Sequence, residues 1–394
     1  MLRTDKSLDS IFPELVRIRR EFHSQPELAW QEFETTHRII RFLEAQKIEN
    51  IERPLQTGVV AQIGNDGAKP TVVLRADMDA LPVQDEKKVE YRSTAHSICH
   101  ACGHDVHMTI ALGTAAVLKQ AEGGLPVNVR FVFQPAEEPI PSGAPKMLEK
   151  HILEGADAAL GMHVDPALAL GKKGLTAGWV NAQTIRLEWK IRGRGGHSAR
   201  PHLAADPLWA GTRLIQDSYQ AAYRLWSRPD YPVVLSFTRF NGGNSYNIIP
   251  EIAGLTASLR VTNVELGPKI LDSLRQINQH IENECRVEIE FDTLAGSPPV
   301  MNDKDLVSQL IENWKKLNGN ITDIESEYRS MGGDDFGWYS QKLPAAMVRF
   351  GTAIKDASRN LHTGLFDVPE EVIRIAVDFF AGQLLNWNTE TKTK

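Results

Sequence analysis

Three short stretches of this chain place thiol, imidazole and carboxylate groups close together: Asp77-Met78-Asp79, His100-Ala101-Cys102-Gly103-His104-Asp105 and Gln134-Pro135-Ala136-Glu137-Glu138. Two single histidines, His163 and His362, stand at further element junctions. Thiolate, imidazole and carboxylate together suit zinc, and also manganese, cobalt or nickel. Two ions a few Å apart need about this many ligands, one of them shared, and such a pair polarises a carbonyl and lowers the pKa of a water between them. Adjacent glutamates can divide the work, one ligating a metal while its neighbour stays free as a general base. Each feature has a plainer reading when taken alone. His163 would be structural, Asp77 and Asp79 would be loop caps, and Glu137-Glu138 would be a solvated pair. Cys99 and Cys102 form a C-x-x-C, which is either redox-active or half of a structural zinc site. No second C-x-x-C exists, which excludes a four-cysteine zinc site, and His100 and His104 beside it favour a metal.

The elements that must position these groups alternate in period. Leu15, Ile18 and Phe22 repeat at helical spacing over 11–23, Pro26 ends that run, and 31–47 is a second amphipathic pattern. Strands are predicted over 58–64, 70–76, 127–133 and 156–163, with a helix over 104–120. Strands alternating with helices imply an α/β sheet covered on both faces. In such sheets ligands bind at the carboxyl ends of the strands, and separate strand or helix junctions deliver Asp, Cys, His and Glu to one crevice.

The pattern changes near residue 179. Strands at 184–193, 232–240, 252–261 and 286–292, with helices over 205–226 and 265–284, give the order βαββαβ, a split-βαβ sandwich. The sequence therefore predicts an inserted domain over 179–293, with 294–300 as a return linker. A discontinuous domain of 1–178 and 294–394 contains the strand 344–351 and a helix from Pro369 onward. Two domains also fit the length of 394 residues.

Composition narrows the partners. The chain is 42% hydrophobic and 24% charged, with a net charge of −6, so a folded protein is expected. No cluster of Lys and Arg with interleaved aromatics is present, which argues against nucleic acid as the main partner. No apolar stretch is long enough to span a bilayer, the first residues have no signal-peptide core, and three cysteines make no disulfide framework. The expected address is the cytoplasm.

At this point the chain resembles the hippurate hydrolase, auxin-conjugate hydrolase and N-acyl-amino-acid amidohydrolase branch of the dinuclear-metal aminoacylase and carboxypeptidase family. The resemblance runs through RREFHSQPELAWQEFETT (19–36), LRADMDALPV (74–83), HACGHDVHM (100–108), FQPAEE (133–138) and GMHVDP (161–166). It continues through GRGGHSARPHLAADP (193–207), NGGNSYNIIPEIAG (241–254), MGGDDF (331–336) and LHTGLFDVPEE (361–371). It implies a zinc-peptidase α/β domain with helices on both faces of a mixed sheet, carrying an inserted ferredoxin-like lid that also dimerises. It implies metal ligands at Cys102, His104, Glu138, His163 and His362, with Cys102 bridging two divalent ions, and Glu137 as general base. Asp79 matches an aspartate that orients a ligand. His197 matches a lid histidine that reaches an active site, often the partner subunit's, and helps hold the oxyanion. Asn247 and Arg260 match substrate-binding positions. The implied reaction is hydrolysis of an N-acyl amino acid, with N-acetyl and N-benzoyl conjugates as examples, to a carboxylic acid and a free amino acid. The rival readings are an exopeptidase of the same family, a non-catalytic metal- or ligand-binding relative, and a redox role for Cys99 and Cys102. The chain departs from the family pattern at Cys99, at Asp334 where Glu is common, in the GWVNAQT stretch near 179, and in the strand LTASLRVTN, which lacks the common T-x-R pattern.

Overall fold

The computed structural model describes residues 5–354 and 359–388. The chain divides into two compact units. One comprises Met1–Val180, Met301–Arg329 and Asp335–Lys394; the other comprises Asn181–Val300 with Ser330–Asp334.

The first unit is built on a mixed sheet. Its strands lie in the spatial order Asn50–Glu52, Val59–Ile63, Asn128–Gln134, Thr71–Asp77, Ala158–Ala169, Ala345–Ala353, Lys173–Gly174 and Ile324–Glu325. The central strands Asn128–Gln134, Thr71–Asp77, Ala158–Ala169 and Ala345–Ala353 run parallel. Central parallel strands are buried on both faces, so TVVLRAD reads as an almost unbroken apolar run, all of it buried. The exception is Arg75, fully buried and bound to Gln134 Oε1 at 3.1 Å, to Asp77 Oδ2 at 2.7 Å and to Asp335. A charge taken out of water must be paired in this way.

The helix His104–Gln120 is buried from its first residue through Leu118. It shares one apolar core with the helices Asp5–Ser24 and Glu371–Leu385, through Leu15, Phe22, Ile110, Val377 and Phe380. Past its polar first turn this helix is apolar on nearly every side, as an interior helix is, and that low polarity is legible in the sequence.

Two differences from the sequence expectations matter. The strand expected to end at His163 continues to Ala169, because Gly351 still pairs with Asp165 and Ala353 with Ala169. His163 therefore lies within a strand and not at its carboxyl end. The carboxylate that this extension buries, Asp165, is paired with Arg349 at 2.8 Å. A helix over Lys304–Asn318 also joins the unit. Asp303 caps it by accepting the Leu306 N–H at 2.8 Å, and Gly319 ends it in the left-handed region.

The second unit is a four-stranded antiparallel sheet in the order Val233–Gly242, Ile252–Val261, Gln183–Arg192 and Glu288–Ala295. The helices Pro207–Ala221 and Leu266–Cys285 complete the chain order βαββαβ. Strand Gln183–Arg192 alternates buried and accessible residues, with Ile185, Leu187, Trp189 and Ile191 facing a separate core. Asp206 accepts the Leu208 N–H at 2.8 Å, and Pro207 opens the first of those helices.

Candidate metal centre

Cys102, Gly103 and His104 form the entry to the buried helix. Gly103 has φ 88°, and a Cβ there would lie 2.4 Å from Val164 Cγ2, so only glycine fits the turn. The turn brings Cys102 and His104 toward His163, and the ligating atoms of all three lie within 4.8 Å of one another. Cys102 Sγ is 3.5 Å from His163 Nε2. Cys102 belongs equally to a second group, with Glu138 and His362, while His104 forms a third with Glu137 and Glu138. His362 Nε2 is 3.4 Å from Glu138 Oε1, and His104 Nε2 is 3.9 Å from the same oxygen. The structure thus gathers Cys102, His104, Glu138, His163 and His362, with Cys102 and Glu138 in the middle.

The histidines are oriented by their other nitrogens. His163 Nδ1 lies 2.6 Å from the Val164 carbonyl, so it donates there and Nε2 turns its lone pair toward Cys102. His104 Nδ1 lies 3.2 Å from Asp79 Oδ1. His362 has φ 62°, its N–H donates to the Ala101 carbonyl at 2.8 Å, and its ring is about half exposed (54%), which leaves one side of the cluster open. The buried Asp77, His104 and His107 form another group, but His107 is closed by its own bonds. Nδ1 donates to Asp77 Oδ1 at 2.6 Å and Nε2 accepts the Val164 N–H at 2.9 Å.

Asp79 accepts two consecutive amides, Glu137 N–H at 2.9 Å and Glu138 N–H at 3.1 Å. Glu137 Oε1 accepts the Asp335 N–H at 3.2 Å. Burial, then the negative Glu138, Glu137 and Asp77, hold the Cys102 thiol well above the usual range. Burial opposes charge on His104, but Asp77, Asp79 and Glu138 outweigh it and push the ring up to about 10. Burial, His107 and Arg349 keep His163 well below its ordinary value. A pocket this acidic, with His104 Nε2 and Glu138 Oε1 buried and lacking hydrogen-bond partners, is built to take up positive charge. The donor set is the one that divalent transition ions prefer.

The remaining sequence-predicted residues lie in the second unit. His197 and Ile248 pair in a short two-stranded ladder. His197 is exposed and its Nδ1 accepts the Ala199 N–H at 3.1 Å, so Nε2–H faces outward. Asn247 is beside it, partly exposed, with Oδ1 accepting from Ser245 at 2.7 Å. Arg260 does not join them. It lies eight residues beyond Ile252 on one strand, about 26 Å away at the usual rise, and donates to the Met331 carbonyl at 3.2 Å.

Cys99 is fully buried, its backbone pairs with Leu81, and burial pushes its thiol up to about 11. A thiol held protonated in this way is a poor nucleophile, which counts against the redox reading. Sequence reasoning passed over Arg75, His107, Asp335 and Glu32 around the cluster. The spacing of His104 and His107 by three on one helix was a signal for His107. Nothing in the sequence links Arg75 to a partner 260 positions away. Glu32 is buried and accepts the Ala136 N–H at 2.9 Å; burial, with the Asp79 charge adding, pushes its carboxyl up to about 7.

Fold and cluster together define a metal-dependent α/β hydrolase with an inserted βαββαβ unit. The chain belongs to Peptidase family M20/M25/M40, whose model matches residues 73–386. It is 36% identical over 368 residues to an N-acetylcysteine deacetylase of Bacillus subtilis, covering 93% of this chain and 95% of the relative. It is 33% identical to the IAA-amino acid hydrolase ILR1-like 4 of Arabidopsis thaliana, covering 98% of this chain and 88% of the relative. Among solved structures it is similar to a dinuclear metal binding peptidase of the M20 family from Bacillus subtilis. That likeness has a TM-score of 0.83 and 33% identity, and covers 96% of this chain and 98% of the other.

Proposed function

We propose that this hydrolase cuts the amide bond of N-acyl amino acids, with two divalent ions held by Cys102, His104, Glu138, His163 and His362. The observation that carries the reading is the sharing of Cys102 between the His104–His163 group and the Glu138–His362 group, with Glu137 alongside. A Cys102 thiolate common to two sets of donors could be shared by two ions. The relatives' names point to acetyl and IAA conjugates of amino acids as the substrate class.

When bound, the ions polarise the amide carbonyl and lower the pKa of an attacking water. Glu137 takes the proton of that water and passes it to the leaving amine. The Asp335 N–H fixes the Glu137 carboxylate, and Asp79 fixes the backbone that carries both glutamates. His197 offers an outward Nε2–H to the oxyanion. Asn247, next to the strand pair of His197, binds the substrate near its carboxylate. Arg260, held against Met331, serves the substrate from a different place on the second unit or in a second copy of the chain.

A homodimer through the second unit fits its exposed Trp209, Tyr219, Tyr223 and Leu225. No helix among the described residues is long and apolar enough to cross a membrane.

Glu137→Ala tests the mechanism. It should keep the metal content of the wild type and lose about 10²–10⁴-fold in kcat. Near-full turnover in metal-replete E137A would remove Glu137 as the base.

A further inference from the structure

The motif RREFHSQPELAWQEFETT has no part in the chemistry above, yet its last third lies directly behind the two glutamates. The turn that carries them has an unusual backbone. Ala136 adopts φ 54°, a region an alanine rarely enters, and its carbonyl accepts the Gly143 N–H at 2.6 Å. Three consecutive amides of this turn point at carboxylates. Those of Glu137 and Glu138 meet Asp79, and that of Ala136 meets Glu32 at 2.9 Å.

Glu32 stands just before the helix Phe33–Ala45, but it does not cap that helix with its side chain. Glu27 does so, accepting the Glu34 N–H at 3.1 Å and the Thr35 N–H at 2.8 Å. Capping therefore does not explain the buried carboxyl of Glu32. The Glu27 carbonyl also accepts the Ala80 N–H at 2.8 Å, one residue from Asp79, and Leu28 bridges to Ala80. The segment 27–32 thus joins both carboxylates that grip the turn into one frame. A burial cost at Glu32 and a strained Ala136 at the same contact are what a positioning device requires.

We infer that Glu32 is a positioning residue for the reaction: by holding the Ala136 amide it fixes the left-handed turn that aims Glu137 at the water and Glu138 at the metals. The inference rests on the roles proposed above for those two glutamates. It assigns a purpose to the N-terminal motif that the ligand set alone does not.

The test compares wild type, Glu32→Ala, Glu32→Gln, Ala136→Gly and the double variant E32A/A136G in the full-length protein. Cobalt(II) affinity is read by absorption against a competing chelator, and kcat and KM are read on an N-acetyl amino acid. E32A should weaken cobalt binding and lower kcat each by about 10–100-fold, with KM within about twofold. E32Q keeps an oxygen acceptor at the same reach, so both readings should stay within about threefold. Glycine relaxes the strain at 136, so E32A should cost less in the A136G background than alone.

The inference fails if E32A matches wild type in both readings, or if E32Q falls as far as E32A. It also fails if only KM moves, or if only the thermal midpoint falls while cobalt affinity and kcat are kept. Should E32A not fold, Glu32→Asp replaces it, one methylene short of the amide, under the same two readings. Wild-type cobalt binding and turnover test the proposed function itself. The ratios of variants to wild type test Glu32.

Discussion

Both ring nitrogens of His107 are committed, one to Asp77 and one to the Val164 amide, and this governs the neighbouring His163 without touching substrate. Val164 also supplies the carbonyl that orients the His163 ring. Removing the His107 imidazole strands a buried N–H and a buried carboxylate oxygen. His107→Ala should cost about 2–4 kcal/mol in stability and weaken metal affinity about 10–100-fold. Urea unfolding of the metal-free protein and chelator competition measure the two effects separately. At this scale the residues carrying chemistry are legible where they are close in sequence, because Cys102, His104, Glu137 and Glu138 stand in short motifs. Their supports are not. Arg75 reaches Asp335 and Glu32 reaches Ala136 only after the chain has folded back on itself. Side-chain pairing over such separations leaves no periodic trace in one sequence.

The helix Asp5–Ser24 meets the helix His104–Gln120 through a buried polar joint as well as through its apolar stripe. Arg19 Nε lies 2.9 Å from Asp105, His23 Nδ1 lies 2.7 Å from the same carboxylate, and His23 Nε2 lies 3.3 Å from Asp85. Burial pushes the Asp85 carboxyl up, but His23, the Ser93 amide and Lys87 together outweigh it and hold it below the usual range. A carboxyl depressed in the folded state stabilises the fold fully above its unfolded pKa of about 4. That contribution is lost as pH falls below this value toward the lower folded pKa. Asp85→Asn should therefore cost about 3 kcal/mol at neutral pH. The variant should also lose less stability than wild type on acidification below about pH 4. Urea midpoints from pH 7 to pH 2 check both statements. The helical and strand periods made these elements readable, and the buried helix at 104 stands out by its lack of a polar face. The strand carrying His163 is longer than its apolar run because Arg349 pays for Asp165, a pairing invisible to periodicity.

At the scale of the whole molecule, the chain divides the proposed chemistry between two units. One carries the ligand cluster, and the other carries His197 and Asn247 on one short ladder, with Arg260 at the far end of a strand. The change of pattern near 179 falls close to Asn181, where the second unit begins. The return of Ser330–Asp334 to it is not legible, because five residues are too few to show a period. The central claim is that metal ions in the first unit and an acyl amino acid are brought together for hydrolysis. It is tested most directly by stripping the protein with a chelator and adding back zinc, manganese or cobalt while assaying a panel of N-acetyl and N-benzoyl amino acids. Amide hydrolysis should be absent in the stripped protein and should rise to saturation at two divalent ions per chain. Full activity in the stripped protein, saturation at one ion, or no turnover of any N-acyl amino acid at full loading would contradict it.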